Sequence, residues 1–378
     1  MSSTVSAELP DPIAKGLLPE GFRDRLPPRA EAAVNLEQAM MAAIRPHGYE
    51  RVAPPLAEFE ESLVTRLAGA ETQDLLRLID PLSQRTIALR PDMTAQVGRI
   101  AATRLGHRPR PLRLAYAGPV LRVRKPQVGA TREALQLGAE LIGSDHVRAV
   151  EEILTIALEA LAATGAKDIS VDLTLPSLVG ELAEGPWPVA DLPAVRNALD
   201  GKDHAQLRAA GGTAYAPLIE AAGPAGEALA ALRSANMGEA FCARLDAAER
   251  LAATASRFGS VSLDPTERLG FEYQTWAGFS LYAGGAPAEI GRGGTYTIRH
   301  PDGHEEAAAG FSLYVDPLVE AGLGIGASRR IFLPLGTADG IAQRLRTEGW
   351  VAVAALFEED SPEANACTYI WDGEARPL

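Results

Sequence analysis

The side chains best placed to do chemistry in this sequence sit in two extended runs, Leu112 to Arg124 and Leu135 to Ile142. In the second run an amide and a carboxylate, Gln136 and Glu140, stand four residues apart, which on a strand puts both on one face. Such a pair can line a ligand pocket, yet polar residues alternating with Ala and Leu also make a strand's solvent face. In the first run Arg122 lies among Arg113, Arg124 and Lys125. A planar guanidinium can give two parallel hydrogen bonds to a phosphate, whereas a run of charges is more often a solvated face. His300, Asp302, His304, Glu305 and Glu306 are crowded enough to suggest a metal, but Pro301-Asp302-Gly303 at their centre is a turn signal, so no metal is expected. Gly291, Gly293 and Gly294 lack the Lys-Ser/Thr that follows a phosphate loop. Cys242 and Cys367 are far apart and have no CxxC spacing, which excludes a disulfide framework and a zinc site.

The elements that must hold these groups can be read from periodicity. The two runs form an antiparallel hairpin across a loop at Lys125 to Thr131. Ahead of them, Ala33, Leu36, Ala39, Met40 and Ala43 mark a helix that starts after Pro27-Pro28 and ends around Gly48. Val52 to Leu56 and Thr86 to Leu89 read as short strands, the first confined by Pro54 and Pro55 to an edge or a strand end. Val150, Ile153, Leu154, Ala157, Leu158 and Leu161 line one face of a helix from Ala149 to Thr164, which Gly165 terminates. Ile169, Val171 and Leu173 then alternate with polar residues as a half-buried strand does. From about residue 180 to 255 the composition turns to Ala, Leu, Pro and Gly, the mark of a helical insertion, and strand character returns from Val261 to Tyr282. A small α/β unit over about 328–378 closes the chain, and the first 18 residues read as a loose tail.

At 378 residues and 47% apolar content the chain can bury a substantial core. Its net charge of −13 argues against a surface built to hold polyanions. There is no signal segment and no apolar run long enough for a bilayer, so a cytoplasmic protein without membrane contact is expected.

The segments PEGFRD, GYERVAPPLAEFE, LRPDMTAQVGR and YAGPVLRVRKPQVGATREALQLGAELIG occur in the order found in histidyl-tRNA synthetase, a class II synthetase, which residues 19–145 resemble. The resemblance implies that Pro55 is the first-motif proline at a homodimer interface. It implies that Arg122 matches the arginine that grips the α-phosphate of ATP. It also implies a histidine pocket of Asp92, which replaces a glutamate, with Gln136, Glu140, Arg268 and Tyr273, the last two from RLGFEYQTWAGF. A carboxylate and a phenol can satisfy the two imidazole nitrogens, while an amide and a carboxylate hold an ammonium.

The second half departs from the synthetase pattern. In GRGGTY, Thr295 and Thr297 replace the signature arginine and aspartate and only Tyr296 and the glycines remain. In the third motif Pro317 replaces the nucleotide-side arginine and Tyr314 replaces a glycine. Proline cannot pair with phosphate, so one of the main electrostatic contributors to amino-acid activation is missing. The C-terminal unit is short and carries the acidic FEEDSPEA.

Over residues 19–322 this combination resembles the synthetase-like regulatory subunits of ATP phosphoribosyltransferase. The implied fold is α+β: an antiparallel class II sheet flanked by helices, with the insertion and the C-terminal unit. The implied role is non-catalytic, without cofactor or tRNA, in complex with a short-form catalytic subunit and under histidine control. Two alternatives stay open: a divergent class II synthetase or aminoacyl ligase, and a stand-alone histidine sensor.

Overall fold

A computed structural model of the protein describes residues 17–64, 75–123, 131–235, 237–238, 241–268, 274–326 and 329–378. Most of the expected tail, loop residues 125–130 and Tyr273 lie outside the described residues. The chain divides into two compact units, 1–324 and 325–378.

In the first unit the strands are β1 (Glu50–Arg51), β2 (Ala57–Phe59), β3 (Leu76–Ile79), β4 (Thr86–Leu89), β5 (Leu112–Leu121), β6 (Glu133–Ile142), β7 (Ser170–Thr174), β8 (Gly223–Pro224), β9 (Ser260–Asp264), β10 (Gln274–Tyr282), β11 (Gly291–Arg299) and β12 (Glu305–Tyr314). The large sheet runs β1-β5-β6-β12-β11-β10-β7-β9-β8, and β2-β4-β3 is a separate small sheet. From β5 to β7 every neighbouring pair in that order is antiparallel; β1 joins β5, and β9 joins β7, in parallel. β5 and β6 are the expected hairpin, with Tyr116 opposite Gly138 and Leu114 opposite Glu140.

The expected strand over Val52 to Leu56 does not form: β1 ends at Arg51 and β2 begins at Ala57. Pro54 and Pro55 have no N–H for a ladder. Their carbonyls are taken by side chains, Pro54 by Arg90 Nη1 at 2.8 Å and Pro55 by Gln96 Nε2 at 2.7 Å.

Period-two alternation sorts the central strands into two faces. Ala115, Leu137, Ala139, Leu141, Ala309, Phe311 and Leu313 are buried with α1 (Arg29–Ile44), α2 (Glu60–Val64) lying elsewhere beside the small sheet. Leu112, Leu114, Tyr116, Ile142, Tyr296, Ile298 and Ala308 are buried on the other face with α3 (Thr94–Thr103). The first face also carries α4 (Val147–Ala163), whose Val150, Ile153, Leu154, Ala157, Leu158 and Leu161 are all buried, as the sequence periodicity requires. Each such leucine or isoleucine contributes ~1.5–3 kcal/mol on leaving water.

The insertion is helical as expected, made of α5 (Leu178–Glu184), α6 (Leu192–Asp200), α7 (His204–Ala209), α8 (Ala216–Glu220), α9 (Ala225–Ser234) and α10 (Cys242–Ala255), with β8 pairing back onto β9. After β12 the chain turns into α11 (Val315–Glu320). Pro317 falls in the first turn of that helix, where its missing N–H has no intrahelical acceptor to lose.

The second unit is a four-stranded sheet in the order β14 (Val351–Ala354), β13 (Arg330–Leu333), β15 (Tyr369–Trp371), β16 (Ala375–Pro377), with α12 (Asp339–Thr347) between β13 and β14 in the chain. β16 is a strand the sequence does not announce, since Ala-Arg-Pro has no apolar alternation. Among the described residues, no helix is long and apolar enough to cross a membrane.

Candidate functional site

The α3-side face of the large sheet carries a buried polar network in an otherwise apolar layer. Gln136 and Glu140 project from β6 with Gly138 between them, and their spacing of four does place both on one face. Across β5 stands Tyr116, across β12 stand Gly310 and Ser312, and one strand further Tyr296.

Glu140 Oε1 accepts the Tyr116 hydroxyl at 2.9 Å and Oε2 accepts the Tyr296 hydroxyl at 2.8 Å. Tyr116 also meets Ser312 Oγ at 3.1 Å and Thr94 Oγ1 at 3.3 Å. Gln136 uses its amide inside the network: Nε2 donates to Asp92 Oδ2 at 2.6 Å and to Ser312 Oγ at 2.7 Å, while Oε1 accepts Met93 N at 3.0 Å. Asp92 closes the circuit by accepting Thr94 N at 2.7 Å at the start of α3.

Two glycines make room for this. A Cβ on Gly138 would lie 2.5 Å from the Tyr116 hydroxyl, and one on Gly310 would overlap the Glu140 carboxylate. Nothing larger than glycine fits under either group.

Burial pushes Glu140 up from its ordinary value of 4.5 to about 8, against the two phenol hydrogen bonds and with help from the charge of Asp92. The Tyr116 phenol is pushed well above the usual value by burial, Glu140 and Asp92. At neutral pH the Glu140 carboxyl is therefore largely protonated and the Tyr116 phenol neutral. The cavity in front of it, lined by Thr94, Glu140, Gln274, Arg292, Tyr296 and Ser312 among others, measures ≈ 20 Å³. That is room for about one water.

The structure brings Asp92, Gln136, Glu140 and Tyr296 together and separates others from them. Asp92 and Gln136, read as holders of an ammonium, hold each other. Thr295, read on the nucleotide side, is fully buried at the β10 irregularity, where Oγ1 accepts the N–H groups of Trp276 at 3.0 Å and Ala277 at 3.1 Å. Arg268 is not among the described residues lining the cavity; its charge bears on Arg196 of α6, whose pKa is lowered by burial first and then by Arg268. Tyr273 lies outside the described residues. Pro55 is exposed at the surface.

Arg122 and Tyr314 do meet: Nη2 donates to the tyrosine hydroxyl at 2.6 Å, with the guanidinium carbon 5.2 Å from the ring centroid. Asp316, next to Pro317, accepts Arg25 Nη2 at 2.6 Å and Leu135 N at 3.0 Å, which ties α11 to β6.

Sequence reasoning missed Tyr116, Thr94, Ser312 and Arg90. Tyr116 and Ser312 fall at the right parity on their strands, so strand pairing would have found them; nothing local marks them out. Arg90 is buried, donates to the Pro54 and Pro119 carbonyls at 2.8 Å each, and holds the proline segment against the hairpin.

Comparison with known proteins agrees with this architecture. Residues 21–318 match the family described as Histidyl-tRNA synthetase. The chain is 43% identical to an ATP phosphoribosyltransferase regulatory subunit of Rhodospirillum centenum, over 96% of this chain and 97% of that protein. It is 42% identical to the protein of the same description from Paramagnetospirillum magneticum, over 93% and 94%. A crystal structure from Bacillus halodurans C, described as an ATP phosphoribosyltransferase regulatory subunit/histidyl-tRNA synthetase, superposes with a TM-score of 0.77 at 25% identity, covering 92% of this chain and 95% of that one. With relatives this similar over nearly the whole length and a matching family model over residues 21–318, the chain belongs to the family of ATP phosphoribosyltransferase regulatory subunits.

Proposed function

We propose that the chain is the non-catalytic regulatory subunit that a short-form ATP phosphoribosyltransferase catalytic subunit needs for activity and histidine feedback, at the first step of histidine biosynthesis in the cytoplasm. The observation that carries this is the Arg122–Tyr314 hydrogen bond at 2.6 Å. In the synthetases that these motifs resemble, the arginine at Arg122 grips ATP; here a tyrosine occupies it, and Pro317 brings no second cation. Activation chemistry that depends on preorganised positive charge is left without its main electrostatic contributors.

The test has two arms. A short-form catalytic subunit should co-purify with the chain and gain activity from it, and the chain alone should show no histidine-dependent ATP-pyrophosphate exchange and no charging of tRNA. Pro317→Arg alone should restore no exchange, because Tyr314 still holds Arg122. Robust exchange by clean wild-type protein would instead favour a divergent synthetase.

Homodimerisation through the segment around Gly48 to Phe59 is part of the same proposal. Leu56, Leu78, Ile79 and Leu82, on and beside the small sheet, are exposed apolar side chains of the kind that a two-fold partner would cover. Light scattering should give a dimer at micromolar concentration; a monomer would remove this part of the reading.

Histidine itself is proposed to bind at Glu140, where a protonated or ionised carboxyl can serve an imidazole nitrogen. The cavity beside Glu140 measures ≈ 20 Å³, so seating an imidazole there requires it to widen. Calorimetry should detect histidine binding to the isolated chain, weakened by about 1–3 kcal/mol in Glu140→Ala. A chain that ignores millimolar histidine yet activates its partner would place feedback on the catalytic subunit, and would equally dispose of the stand-alone sensor.

A further inference from the structure

The C-terminal unit displays apolar side chains that its own core does not use. β13 and β14 are parallel neighbours with Leu333 opposite Ala354, so the loops that follow them leave the same end of the sheet side by side. Two residues past that pair stand Leu335 and Leu356, 54% and 76% exposed, and Phe357 follows at 61%. The buried cluster of this unit is made instead by Ile331, Leu333, Ala342, Leu345 and Trp350.

The loop that presents Leu356 and Phe357 is braced from within. Asp360 Oδ2 accepts Leu356 N at 2.7 Å and Phe357 N at 3.0 Å. Asn365 Nδ2 donates to Ser361 O at 3.0 Å, Ala364 N to Ser361 Oγ at 3.2 Å, and Cys367 N to Pro362 O at 2.8 Å. A leucine and a phenylalanine held outward on a pre-ordered loop avoid much of the ordering cost of binding.

The charge around them selects the occupant. Glu358, Glu359, Asp360 and Glu363 follow directly, and the sequence holds no Lys, Arg or His between Arg346 and Arg376. A second copy on a two-fold axis would set these carboxylates against themselves, and an anionic surface would be repelled.

We propose that this loop is a docking point for the catalytic subunit, with Leu356 and Phe357 entering an apolar pocket rimmed by lysine or arginine on that protein. This rests on the regulatory reading above and names the surface it uses. The experiment uses the full chain and the short-form catalytic subunit, with the dissociation constant and the activity at saturation measured separately. Leu356→Ser/Phe357→Ser should weaken binding at least tenfold while activity at saturation is kept. Glu358→Lys/Glu359→Lys should weaken it several-fold, and wild-type affinity should fall with added salt. Unfolding midpoints should stay at the wild-type value; the charge variant, which removes no apolar contact, decides the matter if the first variant is destabilised. Wild-type chain that binds and activates, with both variants binding equally well, overturns the docking surface and leaves the function standing. Wild-type chain that does not bind at all overturns the function itself. A variant that changes only the self-association of the chain assigns the face to copies of this protein and overturns the proposal as well.

Discussion

Gly310→Ala should cost about 3–5 kcal/mol of folding stability, among the largest effects of any single methyl group in the chain. An ideal Cβ at 310 overlaps Glu140 Oε2, lies 2.5 Å from Glu140 Cδ and 3.0 Å from the Ala139 carbonyl. Glu140 cannot step aside without giving up the Tyr116 and Tyr296 hydroxyls, which would then be buried without their acceptor. The cause can be isolated in a double-mutant cycle. In a Glu140→Ala background the obstructing carboxylate is gone, and Gly310→Ala should cost no more than about 1 kcal/mol, the remainder from the close Ala139 carbonyl. Urea denaturation of the four proteins measures both quantities. Equal costs of Gly310→Ala in the two backgrounds would show that the close approach of Glu140 is not what demands glycine.

Glu140→Gln should remove a pH dependence that wild type displays. The folded carboxyl titrates at about 8, above its ordinary value of 4.5. Between those values the folded state keeps a proton that the unfolded chain has released, so the native state binds more protons and stability falls as pH rises. Below 4.5 both states are protonated, above 8 both are ionised, and the loss is confined to the window between. Over that window, at about 1.4 kcal/mol per pH unit, the full loss is at most about 5 kcal/mol. Glutamine offers the phenols a neutral acceptor and donor at every pH. The variant should match wild type near pH 5 and exceed it by several kcal/mol at pH 8.5. Carboxylates held below their usual range elsewhere, such as Glu306 beside Arg110 and His300, contribute equally to both proteins and cancel in the difference. Parallel stability curves from pH 5 to 9 would mean that Glu140 is ionised in the fold.

Local chemistry in the sequence determined the pieces of this protein. The extended runs Leu112 to Arg124 and Leu135 to Ile142 read as the two strands of a hairpin, and a spacing of four places Gln136 and Glu140 on one face. The apolar stripe from Val150 to Leu161 specifies α4 because only one helical face can be buried. The order of the synthetase-like motifs carried the family, and Tyr314 and Pro317 carried the expectation that the nucleotide side is lost.

What it could not determine is which strand lies beside which. Pairing of β6 with β12, more than 160 residues later, brings Tyr296, Gly310 and Ser312 to Glu140 and Gln136. It joins the amide and the carboxylate to Tyr116, Tyr296 and Ser312 in one hydrogen-bonded network. Thr295 shows the same limit, because alternation along β11 sends it away from Tyr296 and the β10 irregularity decides that it serves backbone N–H groups. Pro54 and Pro55 read as strand because their neighbours are apolar; the fold instead gives their carbonyls to Arg90 and Gln96, partners that lie some forty residues away in the chain. Side-chain type and spacing set the faces of elements, but register between distant elements sets the shape, burial and protonation of what those faces enclose.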